Sequence, residues 1–450
     1  MNRKEGTIDS SSQVLVGEPS GVAIPERASL AVGSQHADPA PTALPPQPVR
    51  AAAQLRVALL TACLDPHYSF SLAMALAAHG VAVDFVGGDA VDGPEMHATP
   101  NVHFVNLWPA LGRRSPVRKI FHLLGYYARL VRWVASSRSG ILHILWNGKL
   151  ELVDRTLLML YYKACGKKVT LTAHNVNRAR RDDRDSLLNR LTLQMQYRLC
   201  DHIFVHTRKM QEELCGQFHV APRRVTVIPY PMNQAVPDTG LSSAEARRRL
   251  SLPAGERVIL FFGRIRPYKG IEHLIAAFRL LPEETSAPFR LLVAGEPTRD
   301  AQEYLRALKE AIAATGRSDQ VTLRVGFIPD AEVESYFKAA DVLVLPYKEI
   351  FQSGVLILAY RFGLPVVATD VGSFREHVVE GRTGFLCDAD DPADLSRALR
   401  QYFASELYNN LEERREDLKQ YAGEAYSWDA VAHRTCSGYA ATMAEKGARP

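Results

Sequence analysis

Cysteine is scarce in this sequence: it has six cysteines among 450 residues. They lie far apart, at Cys63, Cys165, Cys200, Cys215, Cys387 and Cys436. This wide spacing, with no C-x-x-C pair, argues against a disulfide framework and a zinc site, and it is typical of a reducing compartment. We therefore expect a cytoplasmic protein.

Long apolar runs and common nucleotide-binding motifs are also missing. No run approaches the ~18–20 residues of a membrane span, and no signal-peptide apolar region follows the first basic residues. The first strand is not followed by G-x-G-x-x-G, and the chain has no G-x(4)-G-K-[ST], which argues against a dinucleotide oxidoreductase and a P-loop enzyme. The D-x-D match at 388–390 is better explained as the cap of the following helix than as a metal ligand.

The order of apolar runs predicts an α/β protein with two doubly wound domains. Residues 1–54 are rich in Ala, Pro, Ser, Gly and Gln, and we expect them to be a disordered tail. Apolar strand patterns then alternate with helical patterns in two series, over 55–235 and 236–424, and a terminal helix follows over 425–450. Such alternation indicates parallel sheets built from βαβ units, and two consecutive series predict two domains with a cleft between them.

Basic residues are concentrated in the first series. Residues 55–230 hold 23 Lys and Arg against 13 Asp and Glu, whereas 231–450 hold 27 against 31. The segment 113–138 contains seven Lys or Arg and no acid, and its apolar residues repeat at helical spacing. Such a helix can lie on an anionic membrane surface, or it can pack on the sheet with a solvated basic face, and the two can hold together.

The stretch FFGRIRPYKG at 261–270 combines a strand end with a glycine and cations. Gly263 would let the backbone approach a ligand, and Arg264 and Lys269 could converge on one anion. The next helix starts near Gly270, and its N-terminal N–H groups would suit a phosphate. The alternative is a solvated basic turn.

A second candidate loop follows the strand that ends at Pro346. Ser353, Gly354 and Val355 are predicted to open a helix whose N–H groups form another anion site. Glu349 is the carboxylate available to accept hydrogen bonds from hydroxyls, although it could also be an ordinary surface acid.

These motifs, with AGE at 294–296 and GLPVVATDVGSFREHVVEGRTGFL from 363, resemble the glycogen-synthase-like glycosyltransferases of family 4, which have the two-domain GT-B fold. The resemblance spans roughly 55–445. It implies metal-independent, retaining transfer of a sugar from a UDP- or GDP-linked donor, with no further cofactor. It also implies that Arg264 and Lys269 hold the diphosphate and that Glu296, Gly326 and Phe327 lie near the nucleotide.

One departure from the family pattern concerns its two glutamates, which stand eight residues apart before the G-L-P segment. Those positions are Ile350 and Leu358 here, so Glu349 is one residue early and the second acid is missing. The ribose contact would then come from Gln352 or Ser353. By resemblance, the Q-S-G-V sequence would be that of a variant subgroup of the family.

His174 ends a strand in KVTLTAHNVN of the first domain. By resemblance it would hydrogen-bond the donor sugar and, with Glu349, orient it, while His67 and Tyr68 could line the acceptor side. The basic first domain suits a lipid-linked or glycan acceptor at the inner face of the cell membrane, and nothing points to nucleic acid. Two alternatives stay open: a non-transferring sugar-nucleotide enzyme such as an epimerase, and a non-catalytic partner of another glycosyltransferase.

Overall fold

The computed structural model describes residues 55–444 apart from 63, 110–115, 178, 180–184, 233, 235 and 284–286. The tail predicted over 1–54 lies outside the described residues, as do 113–115 of the basic segment and 445–450 of the predicted terminal helix.

The first domain is built on a seven-stranded parallel sheet. Its strands are β1 (Arg56–Leu60), β2 (Ala82–Gly88), β3 (Val102–Trp108), β4 (Ile141–Ile144), β5 (Lys168–Thr172), β6 (His202–Val205) and β7 (Val225–Val227). They lie in the order β3-β2-β1-β4-β5-β6-β7, so the winding direction reverses between β1 and β4. The helices are α1 (Pro66–Ala78), α2 (Pro94–Ala98), α3 (Pro116–Ser136), α4 (Glu151–Arg155), α5 (Leu157–Ala164), α6 (Leu187–Leu199) and α7 (Arg208–Phe218).

The second domain repeats this plan on a six-stranded parallel sheet. Its strands are β8 (Arg257–Phe262), β9 (Phe289–Gly295), β10 (Val321–Val325), β11 (Val342–Leu345), β12 (Val366–Thr369) and β13 (Gly384–Cys387). Their order is β10-β9-β8-β11-β12-β13, which reverses between β8 and β11. Its helices are α8 (Ser243–Arg249), α9 (Ile271–Arg279), α10 (Gln302–Ala313), α11 (Asp330–Ala339), α12 (Gly354–Arg361), α13 (Phe374–His377), α14 (Pro392–Phe403), α15 (Glu406–Asn409) and α16 (Leu411–Ala425).

Burial explains why the strands have nearly continuous apolar sequences. Residues 258–261 of β8 and 342–345 of β11 are fully buried, because helices cover both faces of a parallel sheet. The predicted α/β class with two doubly wound sheets is confirmed. The cap of α14 was predicted one position too early: its N-cap is Asp391, whose carboxylate accepts hydrogen bonds from the N–H groups of Ala393 and Asp394.

The last helix, α17 (Trp428–Ala444), returns to the first domain. It packs on α1 and on β6 and β7, and Val431, Cys436 and Tyr439 belong to the apolar core of that domain. The first domain is therefore completed by the end of the chain. Among the described residues, no helix is long and apolar enough to span a membrane.

Candidate active site

The loops after β8 and β11 meet at the point where the second sheet reverses its winding. Ligands of open α/β sheets bind in the crevice at this point, outside the carboxyl ends of the strands. Gly270 has a φ of 62°, and a β-carbon built on it would lie 2.0 Å from the carbonyl oxygen of Pro346. Only glycine allows these two loops to approach so closely, so the sequence at 270 fixes the shape of the crevice.

Lys269 brings a buried positive charge to this crevice. Its side chain is 7% exposed, and its ammonium donates to the hydroxyl oxygen of Tyr347 at 2.6 Å. A β-carbon built on Gly263 would lie 3.6 Å from Lys269 Nζ and also 3.6 Å from Val355 Cγ2. Gly263, Lys269 and the start of α12 therefore border one space.

The two helix N-termini at the crevice differ in their capacity for an anion. The N–H of Ile271, the first residue of α9, donates to the hydroxyl oxygen of Tyr304 at 3.0 Å. The first turn of α9 also contains the carboxylate of Glu272, which lies 2.5 Å from Lys348 Nζ. A negative charge there opposes phosphate. The phosphate site at the start of α9 stays a prediction, with its first N–H engaged by Tyr304 and the carboxylate of Glu272 paired with Lys348.

The N-terminus of α12 lacks such groups. Its N-cap, Ser353, makes no side-chain capping bond, and the first turn contains no acid. Gly354 and Val355 carry the next N–H groups, and Gly354 is exposed. An uncapped helix N-terminus beside a buried lysine is an arrangement that binds phosphate.

The other predicted residues of the second domain lie at the same edge of its sheet. The N–H of Ile265 donates to the carbonyl of Glu296 at 2.9 Å, and that of Gly326 to Gly295 at 3.0 Å. The side chains of Arg264 and Glu296 are exposed, and Phe327 is 72% exposed. Their exposure leaves these three side chains available to a ligand.

The two positions that depart from the two-glutamate pattern lie in the loop before α12 and within α12 itself. Ile350 and Leu358 are both buried in the apolar core of the second domain. A carboxylate at either position would be desolvated. Glu349 is exposed, and Gln352 is half-buried with its Oε1 unpaired among the described groups. Between Lys348, which pairs with Glu272, and the N-cap Ser353, the loop therefore offers the side chains of Glu349 and Gln352.

His174 lies in an aromatic cluster at the winding reversal of the first sheet. The ring of Trp146, which follows β4, stacks on His174 at 4.5 Å between centroids and 5° between planes. Tyr68, on α1, meets the same ring edge-on at 4.9 Å. His206, which follows β6, places Nε2 3.1 Å from His174 Nδ1. His67 is exposed and is absent from the cluster.

Sequence reasoning missed Trp146, His206 and Tyr230. Trp146 and His206 each follow a strand of the first sheet by one or two residues, and Tyr230 comes three residues after β7. A polar or aromatic residue at a strand end was the available signal. Tyr230 meets His206 edge-on at 5.2 Å, which completes the cluster.

The two domains meet across this cluster. A β-carbon built on Gly354 would lie 3.3 Å from Cε1 of Tyr230, and Phe351 packs against the core of the first domain. The carboxylate of Glu376 accepts hydrogen bonds from the N–H groups of Arg208 and Lys209, at 2.8 and 2.9 Å. The phosphate-suited end of α12 and the histidine cluster consequently face one cleft.

The two sides of the cleft differ in the charge of the groups that line them. Burial lowers the pKa of His174 well below its usual range, and neighbouring His206 and His143 lower it further. Burial also lowers the pKa of His206 to about 4. The first domain therefore presents neutral imidazoles, which suit hydroxyl groups, while the second presents a cation and helix N–H groups, which suit an anion.

Two parallel, doubly wound sheets in an α/β arrangement are the architecture of the GT-B class of glycosyltransferases. The family described as "Glycosyltransferase Family 4" matches residues 67–235, and "Glycosyl transferases group 1" matches residues 242–425. The chain belongs to the GT-B glycosyltransferases of family 4.

Relatives with curated names include D-inositol 3-phosphate glycosyltransferases. That of Streptosporangium roseum is 32% identical over 252 residues, which are 55% of this chain and 56% of the relative. That of Geodermatophilus obscurus is 32% identical over 258 residues, which are 55% and 54%. The chain thus spans about half the length of the curated relatives it matches.

Solved structures share the fold over most of the chain. Sucrose-phosphate synthase from Thermosynechococcus elongatus has a TM-score of 0.67 at 22% identity, covering 87% of this chain and 100% of that one. HepE of Anabaena in complex with UDP has a TM-score of 0.64 at 15% identity, covering 86% and 99%.

Proposed function

We propose that this protein is a retaining, metal-independent glycosyltransferase that uses a nucleoside diphosphate sugar. The convergence of Lys269 with the uncapped start of α12 above Gly263 carries the proposal. The diphosphate is the only part of such a donor that is strongly anionic, and this is the part of the cleft that favours negative charge. HepE has been solved with UDP and with UDP-glucose, which supports a nucleotide-sugar donor.

The chemistry follows from where charge develops. When the bond from the sugar to the diphosphate breaks, negative charge grows on the leaving phosphate oxygen. The ammonium of Lys269, the guanidinium of Arg264 and the N–H groups of Gly354 and Val355 stabilise that charge without a bound metal. His174 and Glu349 orient the sugar hydroxyls. Retention of configuration at the sugar rests on the family resemblance.

A nucleotide-binding panel tests the donor site. UDP, GDP, ADP and dTDP are added to the wild type, to Lys269→Met and to the exposed-lysine control Lys309→Met, and the melting temperature is measured. A nucleotide at 100 times its dissociation constant adds about 2.7 kcal/mol of stability. We expect one nucleotide to stabilise the wild type and the control but not Lys269→Met. No shift with any nucleotide would favour the non-catalytic alternative, and a sugar epimer formed without acceptor would favour the epimerase.

The acceptor side includes an exposed apolar face on α3. Val117, Ile120, Phe121 and Leu124 lie on one side of the helix, and all are more than half exposed. Further along the same helix, Leu130 and Val134 are buried in the domain core. The second half of α3 thus packs on the domain, while the first half leaves its apolar side chains uncovered.

The positive charges around this apolar face indicate which binding partner we propose for it. Exposed Arg118 and Lys119 flank it. Tyr127 links α3 to the start of α4 by accepting a hydrogen bond from the N–H of Leu150 at 3.2 Å. Leu152, Leu157 and Leu160 nearby are also exposed. Apolar side chains among cations suit an anionic bilayer, so we propose a lipid-linked acceptor at the inner face of the cell membrane.

Vesicle co-sedimentation at low salt tests this surface. We expect binding to vesicles of phosphatidylglycerol and little binding to phosphatidylcholine. Phe121→Asp removes an exposed apolar side chain whose insertion into the bilayer would be worth roughly 2 kcal/mol, and it should weaken binding at least about tenfold. Leu280→Asp, at a similarly exposed leucine of the second domain, is the matched control. Equal binding by the wild type and Phe121→Asp would refute the membrane surface while leaving the donor site intact.

A further inference from the structure

Two short segments at the crevice, 268–270 after β8 and 346–348 after β11, contact each other along their length. The close approach at Gly270 fixes one end of this contact. At the other end, the N–H of Lys348 donates to the carbonyl oxygen of Tyr268 at 2.9 Å. The middle residue of each segment therefore has its backbone fixed on both sides.

These middle residues are Lys269 and Tyr347, and their side chains meet. Nζ of Lys269 lies 2.6 Å from the hydroxyl oxygen of Tyr347 and 4.2 Å from the centre of its ring. An ammonium has three N–H donors and no acceptor, so the lysine donates and the phenol oxygen accepts. The contact uses one of the three donors and fixes where the nitrogen lies.

The side chain of Tyr347 is the rigid partner in this contact. It is fully buried, and its ring lies 6.3 Å from that of Tyr268 and 5.5 Å from that of Phe374, between centroids. Its carbonyl oxygen accepts a hydrogen bond from the hydroxyl of Thr369 on β12 at 2.6 Å. A lysine side chain has a flexible four-carbon stem. The position of the Tyr347 oxygen therefore determines where the stem of Lys269 ends.

The phenol holds the lysine without itself cancelling the positive charge. Burial raises the pKa of the Tyr347 hydroxyl, so the oxygen that accepts from Lys269 belongs to a neutral group. Lys348, one residue further along, lies instead 2.5 Å from the carboxylate of Glu272. The cation held by a neutral oxygen is the one beside the space over Gly263, where a β-carbon would lie 3.6 Å from Nζ.

We propose that Tyr347 is a positioning residue of the anion site, whose hydroxyl oxygen holds the Lys269 ammonium beside the start of α12 in the place where it meets a diphosphate. The identity of that ligand rests on the proposed function, whereas the effect of Tyr347 on Lys269 does not. Tyr347→Phe keeps the ring and its packing and removes only the acceptor. This change should release the lysine and weaken diphosphate binding.

Lysine labelling tests the contact without any ligand. The full chain is treated with acetic anhydride, and the rate of acetylation at Lys269 is measured by mass spectrometry. The reagent attacks the unprotonated amine, so a released stem and a less stabilised ammonium both raise the rate. We expect the rate in Tyr347→Phe to be at least about fivefold that of the wild type, because a hydrogen bond to a charged group is lost.

Tyr402→Phe is the matched control. Tyr402 is a fully buried tyrosine of α14, and its hydroxyl donates to the carbonyl oxygen of Asp341, just before β11, at 2.5 Å. This control also loses one buried hydroxyl, but at the opposite end of the strand, so Lys269 should react as in the wild type. Equal rates in the wild type and Tyr347→Phe would overturn the proposal even in an active transferase. The same acceleration in Tyr402→Phe would also overturn it, because a general loosening of the domain would then explain the result.

A double-mutant cycle tests the consequence for the ligand. The dissociation constants of UDP and of uridine, which lacks the diphosphate, are measured by calorimetry for the wild type, Tyr347→Phe, Lys269→Met and the double variant, with their melting temperatures. GDP and guanosine replace them if the nucleotide panel selects GDP. We expect Tyr347→Phe to weaken UDP binding about tenfold and uridine binding less than about twofold, because only the diphosphate meets the lysine.

The background of the second variant separates positioning from a structural role. Added to Lys269→Met, Tyr347→Phe should leave UDP binding unchanged, because the two residues act through one contact. Additive losses in folded variants would contradict the positioning role. If none of the four nucleotides binds the wild type, the proposed function fails, and the labelling rates alone decide the inference.

Discussion

Acid should release the C-terminal helix from the first domain, and His143 is the reason. This residue of β4 is fully buried. Its Nδ1 lies 2.5 Å from the hydroxyl of Tyr439 on α17, and its Nε2 lies 2.8 Å from the hydroxyl of Thr172 on β5. The imidazole therefore joins the end of the chain to the first sheet.

The size of the effect follows from the pKa. Burial lowers the pKa of His143 from 6.5 to about 3, with a further contribution from His202. Below pH 6.5 the unfolded chain binds a proton that the folded chain refuses until about pH 3. The free energy of unfolding is complete above pH 6.5 and falls by about 1.4 kcal/mol per pH unit through this window. Between pH 7 and pH 5 this single group should cost about 2 kcal/mol.

Urea unfolding of the wild type and of His143→Gln at pH 7, 6 and 5 measures this cost. Removing the bonds of His143 should destabilise the variant at pH 7, but its further loss between pH 7 and pH 5 should be about 2 kcal/mol smaller than that of the wild type. His67→Gln, at an exposed histidine, is the control and should keep the wild-type dependence. Hydrogen exchange over 428–444 should accelerate in acid in the wild type. Parallel curves for the wild type and His143→Gln would refute the argument.

Two further predictions concern the cleft. Arg264→Ala should lower turnover by about 10²–10³-fold, which is the scale for losing one preorganised electrostatic donor. Steady-state kinetics of this variant are compared with those of Arg279→Ala, a control at an exposed arginine of α9, to show whether the loss is specific to Arg264. Glu376→Ala removes the acceptor for two N–H groups at the start of α7 and should weaken closure by about 1 kcal/mol. Small-angle scattering should then find a larger radius of gyration than for Glu413→Ala, and equal radii would contradict this role.

The strands were predictable because their apolar runs are long enough to be buried on both faces. The runs RVILFF and VLVL are typical of parallel strands that helices cover on both faces. The start of α12 was equally predictable from the sequence, since a serine and a glycine stand before an apolar run with helical spacing. These elements can be predicted from local sequence because a strand or helix is recognised by the periodicity of its own residues and by the residue that caps it.

The anion site could be predicted only in part. Lys269 and Val355 do approach the same space above Gly263. The start of α9 looked equally suitable, but Tyr304 from α10 occupies its first N–H. This contact joins residues that are 33 positions apart in the sequence. No local sequence pattern predicts it. Likewise, the pairing of His174 with His206 depends on the adjacency of β5 and β6.

The sequence by itself determined the α/β class, the two series of strands and the loops that bear the phosphate-suited residues, because periodicity, glycine positions and capping are local properties. Only the tertiary structure decided which helix N-terminus remains open, which nitrogen of His174 is left unpaired and where the last helix packs. Those outcomes depend on which side chains from distant elements reach the same few ångströms, and on the desolvation that their meeting imposes.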